Sequence, residues 1–132
     1  MEKIVNGHVY KLRPYTHLEQ TIIDDEATRI TEEGSKMIRG TLMSLTCFFG
    51  IESWDLVDDQ KKPISLSLPQ EKIKTDLGLP RLNYEAYLDF ARVFPTLDRQ
   101  EVFLEASKLN RLGEQEGNSS SGPSAETSGT AK

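Results

Sequence analysis

The residues that could carry chemistry are few and scattered. His8, His17 and Cys47 are the only histidines and cysteine in the chain. A metal centre needs several ligands converging at short spacing. These three are expected on a strand, in a first helical turn and inside an apolar run. His17 with Glu19, Asp24 or Asp25 comes nearest to a site, and an exposed histidine at a helix start is the plainer reading. Nucleophilic catalysis needs a serine or cysteine beside a positioned base. No G-x-S-x-G occurs, and Gly34-Ser35 has no matching context. Cys47 reads as a small buried side chain, and being alone it cannot form an internal disulfide. Gly34 and Gly40 are followed by Thr41 in a helical pattern and do not make a phosphate loop. Asp24-Asp25 and Asp58-Asp59 are sequence neighbours rather than facing carboxylates. The expectation is a non-enzymatic protein with no catalytic residue, no cofactor and no metal.

That leaves surfaces. The net charge of −5 and pI near 5.1 argue against a nucleic-acid partner, whose affinity would rest on cations neutralising phosphates. No window approaches the ~18 apolar residues of a membrane span. The N-terminal residues MEKIVNGHVY lack the apolar core of a signal peptide, so a soluble intracellular protein is expected. Most aromatics sit at core spacing. Trp54, Tyr84, Tyr87 and Phe94 are the candidates for partner binding, since large aromatics with a polar tip favour interfaces.

The elements that would position these residues read as an α+β fold, mainly α with small β-hairpins. Asn6-Gly7 suits a two-residue turn requiring positive φ at both positions, so Lys3–Val5 and His8–Arg13 form an N-terminal hairpin. Thr16 and Glu19 form a capping box that opens a first helix, with Leu18, Ile22, Ile23, Ala27 and Ile30 inward. Its outer face carries Glu19, Asp24, Asp25 and Glu26. The central helix is expected over Lys36–Gly50, where Ile38, Leu42, Leu45 and Phe49 share a face and Gly50 would adopt the left-handed C-terminal conformation. Thr31 would be its N-cap, or a single long helix would bend near Gly34. A second hairpin is expected from Ile51–Leu56 and Ile64–Leu68 around Asp58–Lys62, with Trp54 as anchor. Ser67–Pro69 would open a helix carrying Ile73 and Leu77 that stops at Gly78. A further helix would turn Tyr84, Tyr87, Leu88 and Ala91 to one face, with Phe90 and Phe94 alongside. Thr96 would cap a last helix whose inner residues are Val102, Phe103, Ala106 and Leu109. Residues 1–112 make one globular domain in this reading. Residues 113–132 have nothing apolar larger than alanine and are expected to be a disordered tail.

The order of these features resembles the tail assembly chaperones of long-tailed bacteriophages of the lambda-like type. The residues that carry it are Tyr10 to Thr16, leading from strand into capped acidic helix, then Phe49 to Trp54, then Lys62 to Ser67. The Leu79-Pro80 break and the closing helix around Leu109-Asn110 complete the pattern over roughly residues 1 to 112. The Asp58–Lys62 turn departs from the commoner pattern in lacking glycine. The resemblance implies a helper in the host bacterial cytoplasm, absent from the mature virion. It would bind and solubilise the tape-measure protein, help recruit the tail-tube protein, and self-associate. A minor phage tail or connector structural protein, or an acidic protein-binding regulatory module, are the competing readings.

Overall fold

A computed structural model describes the backbone of residues 1–119 and the side chains of residues 1–111. It shows an α+β fold of helices and small antiparallel strand pairs. Strands β1 (Glu2–Val5) and β2 (His8–Leu12) form the expected hairpin, with Asn6 and Gly7 both at positive φ. Helix α1 (His17–Glu26) opens with the expected capping box. The Glu19 amide donates to Thr16 Oγ1 at 3.2 Å, and the Thr16 amide to Glu19 Oε1 at 2.8 Å.

The next segment departs from expectation. No helix passes through Gly34; Thr28–Thr31 (β3) and Gly34–Met37 (β4) pair as a projecting ribbon. The Thr31 hydroxyl receives the Glu33 amide, and Gly34 sits at φ 118°, a conformation that glycine tolerates. Ile30 therefore belongs to an exposed strand, not to the inner face of α1, and is 89 % exposed. The Ile38 amide donates to Ala27 O at 2.6 Å and brings the chain back to the body where the ribbon left it.

Helix α2 (Arg39–Gly50) is the centre of the core. Every residue from Leu45 to Gly50 is buried, the signature of a helix end surrounded on all sides. Gly50 does not take the expected left-handed conformation; it remains helical, and Ile51 starts strand β5 (Ile51–Trp54) without a loop. The glycine serves a close approach instead, because a Cβ at position 50 would lie 3.1 Å from Ala106 Cβ. Gly50→Val is expected to lower stability by about 1–3 kcal/mol through overpacking. Thermal unfolding should show the lower Tm, with partial recovery in Gly50→Val/Ala106→Gly.

Strand β5 pairs with β2, completing a three-stranded sheet in the order β1-β2-β5. The expected second hairpin is reduced to a single bridge between Val57 and Pro63, since Trp54 and its neighbours pair with the N-terminal hairpin. The glycine-free turn closes through Asp58 Oδ1, which accepts from the Gln60 and Lys62 amides, with Lys61 at φ 63°.

The helix expected after Ser67 is a single 3-10 turn at Pro69–Glu71, followed by a third ribbon, β6 (Ile73–Asp76) and β7 (Leu79–Leu82). Ile73 and Leu77, only two apolar residues four apart, do not make an inner helical face. Leu77 and Gly78 form the turn, both at positive φ. A left-handed conformation costs a bulky residue about 1–2 kcal/mol.

Helix α3 (Tyr84–Val93) is capped by Asn83. Its buried face is Ala86 and Phe90, with Tyr87 half-buried, rather than the Tyr84–Leu88–Ala91 face. Helix α4 (Arg99–Ser119) follows a 3-10 turn at Thr96–Asp98, so Thr96 is the first residue of that turn rather than the cap of the helix. Val102 and Ala106 are buried and Phe103 and Leu109 half-buried against the core, as expected. Residues 120–132, most of the tail expected from Gly113, lie outside the described residues.

Candidate functional site

Of the four aromatics singled out from the sequence, three come together. Trp54 stacks on Phe90 at 5.6 Å and on Phe94 at 6.3 Å between ring centroids, and its Nε1 donates to Ile64 O at 2.8 Å. Tyr87 meets Phe48 edge-on at 5.5 Å. Trp54, Tyr87 and Phe94 are half-buried and pack against the core, where they join α3 to the sheet. Tyr84 lies apart from them. It is 50 % exposed, and its hydroxyl donates to Glu26 at the end of α1. That hydrogen bond, before partial burial, raises the phenol pKa.

Tyr84 stands beside a groove. A cavity of about 420 Å³ opens between α1 and β7, lined by Ile22, Leu79, Pro80 and Leu82 with Asp25, Glu26 and Arg81 at its polar margin. Ile22 and Leu82 are buried and form the floor, while Leu79 is 58 % exposed and forms a wall. Apolar floors with a few polar groups at the rim are the usual composition of binding grooves. The β7 side is closed to strand addition. In a two-residue hairpin Asp76 and Leu79 exchange both hydrogen bonds, so Thr75 and Pro80 are the next, outward-turned pair. Pro80 has no N–H to offer there.

Two buried polar clusters support these surfaces, and sequence reasoning found neither. Asp98, at the end of the 3-10 turn before α4, is in the core. It accepts from the Tyr10 hydroxyl, from Asn6 Nδ2 at 2.8 Å and from His8 Nδ1 at 2.7 Å. Burial pushes its carboxyl pKa up, but these three hydrogen bonds and the His8 charge outweigh that and hold it below the usual carboxylate value. The same cluster, after burial itself, pushes the Tyr10 phenol far up. Only the hydrogen-bonding residue types hint at this site; their separation of about ninety positions gives no signal.

Lys72 is the second. Its side chain is fully buried, and Nζ donates to Phe48 O at 2.5 Å and Ile51 O at 3.0 Å, over the Phe48 ring at 5.0 Å. Burial, helped by Arg13 and opposed by Glu19, pulls its pKa down to about 7. Glu19 is itself buried and paired to Arg13 at 2.6 Å, so it is not part of a solvated acidic face. Cys47 is free and buried as expected, and burial raises its pKa. Among the described residues no three His, Cys, Asp or Glu side chains converge to hold a metal ion, and no helix is long and apolar enough to cross a membrane.

Compared with known proteins, the chain matches no protein-family model, no curated protein and no solved structure.

Proposed function

We propose that this protein is a tail assembly chaperone of a long-tailed bacteriophage, acting in the host cytoplasm and absent from the finished particle. Its client is the tape-measure protein, whose long amphipathic helices need apolar surface covered until assembly, and it helps recruit the tail-tube protein. The α1–β7 groove carries this reading. Leu79 gives it an exposed apolar wall above the buried Ile22 and Leu82, its rim is charged, and Pro80 blocks an added strand, so an apolar helical stripe is the better fit. The partners are proteins rather than nucleic acid or membrane, and the acidic rim suits a client with cations flanking its stripe.

The test is co-expression with a tape-measure fragment. The fragment is expected to stay soluble and to co-purify with the native chain. Asp25→Lys, at the exposed groove rim, is expected to weaken the complex about tenfold, the scale of one lost favourable charge contact. A fragment that aggregates regardless, with no complex, would remove the proposal. Recovery of the protein in purified particles would point instead to a minor tail or connector subunit.

A further inference from the structure

The β6–β7 ribbon carries three features that the fold itself does not use. Leu77 holds the first position of the turn at φ 52° and is 95 % exposed, so a large apolar side chain occupies a left-handed position without any burial in return. Asparagine, aspartate or glycine normally fills that position. Leu79, next to the turn, is also exposed. On the same outward face Lys74 and Arg81 stand directly opposite each other across the ribbon, with Asp76 two residues along from Lys74 as the carboxylate of that face. Like charges so placed repel. Among the described residues neither has a carboxylate within ion-pair distance, although each lines a cleft that acids also line.

We infer that the tip and outward face of this ribbon form a docking surface that adjoins the α1–β7 groove, sharing Leu79 and Arg81 with it and adding Leu77 and Lys74, for a protein segment with an apolar stripe flanked by carboxylates. Leu77 and Leu79 enter the stripe, and Lys74 and Arg81 meet the carboxylates. Two cations against one carboxylate leave the ribbon face net positive, which favours a segment flanked by carboxylates over one flanked by cations. Backbone strain at an exposed leucine fits the same use, since strain is tolerated where a functional contact over-determines the conformation.

Two synthetic amphipathic helical peptides with identical leucine stripes, one flanked by Glu and one by Lys, provide the probe. Fluorescence anisotropy against the full chain should show the Glu-flanked peptide binding at least tenfold more tightly at low salt, with the preference shrinking as salt rises. Leu77→Asn should weaken that binding about tenfold and at the same time raise Tm, because asparagine suits the turn better. Lys74→Glu, which lies outside the groove lining, should shrink or reverse the preference between the peptides. Asp25→Lys, which alters only the groove, should leave the Leu77 dependence intact. Equal affinity for both peptides, or binding indifferent to Leu77→Asn, overturns the inference. If binding instead depends on Asp25 and not on Leu77, the ribbon surface is refuted while the groove of the proposed function stands.

Discussion

Raising the pH from 7 to 8.5 is expected to stabilise this protein, and Lys72→Met is expected to remove the effect. The unfolded amine titrates at its model value of 10.5, whereas the folded one is pulled down to about 7. Between these values the unfolded chain binds a proton that the folded chain has released, so stability rises with pH across that window. From pH 7 to 8.5 the gain comes to about 1.5 kcal/mol. Burial is what favours the neutral amine. The two carbonyls, Phe48 O and Ile51 O, accept from either form, and the Phe48 ring face attracts the cation, so removal of the charge from water outweighs these contacts. Above pH 9 the trend should reverse. The raised pKa values of Cys47 and Tyr10 mean that the unfolded chain loses those protons first. Urea unfolding at half-unit steps between pH 7 and 8.5 decides the matter. Native stability that is flat or falls over this range would refute the assignment, as would an unchanged slope in Lys72→Met.

How much of this arrangement was legible in the sequence depends on the range of the interaction. The Thr16–Glu19 capping box, the Asn6-Gly7 turn and the inner face of α4 are set within a few residues, and all are found where the spacing places them. The two further ribbons were hidden because their apolar residues imitate helical spacing. Ile30 and Met37 fall in helical phase, as do Ile73 and Leu77, yet Ile30, Met37 and Leu77 are exposed. Periodicity signals burial only when burial is what the residue does. Trp54 was placed on a strand, but its partner is β2 rather than the nearer Ile64–Leu68, because pairing with Tyr10 extends a sheet that already exists. Lysine and aspartate are usually outside, so nothing local marks Lys72 or Asp98 as interior. Their positions follow from acceptors and donors elsewhere in the chain. The candidate groove was half legible. The spacing puts Asp25 and Glu26 on the outer face of α1, where they form part of the rim, whereas Leu79-Pro80 reads as a break between helices and Arg81 carries no signal.

Asp98→Ala is expected to destabilise the domain by about 3 kcal/mol, the scale of hydrogen bonds to a charged group plus a donor left buried. The Tyr10 ring lies at the middle of the sheet, edge-on to Trp54 and Phe94, and is fully buried. Without the Asp98 carboxylate its hydroxyl loses its acceptor inside an apolar cluster, and Asn6 and His8 lose theirs at the margin. The connection between the N-terminal hairpin and the start of α4 would loosen with them. Tyr10→Phe removes both the donor and its need for a partner, so Asp98→Ala should cost less in that background. A double-mutant cycle measured by urea unfolding should give a coupling of at least about 1 kcal/mol, and additive single effects would show that the pair does not act together. The pH dependence gives a second reading. Because the folded carboxyl pKa is depressed, its contribution is complete above the ordinary aspartate value and fades as pH falls through the folded one. Asp98→Asn should therefore lose less stability on acidification than the native protein. An identical acid limb in the two proteins would mean that Asp98 is not the charge on which the hairpin is anchored.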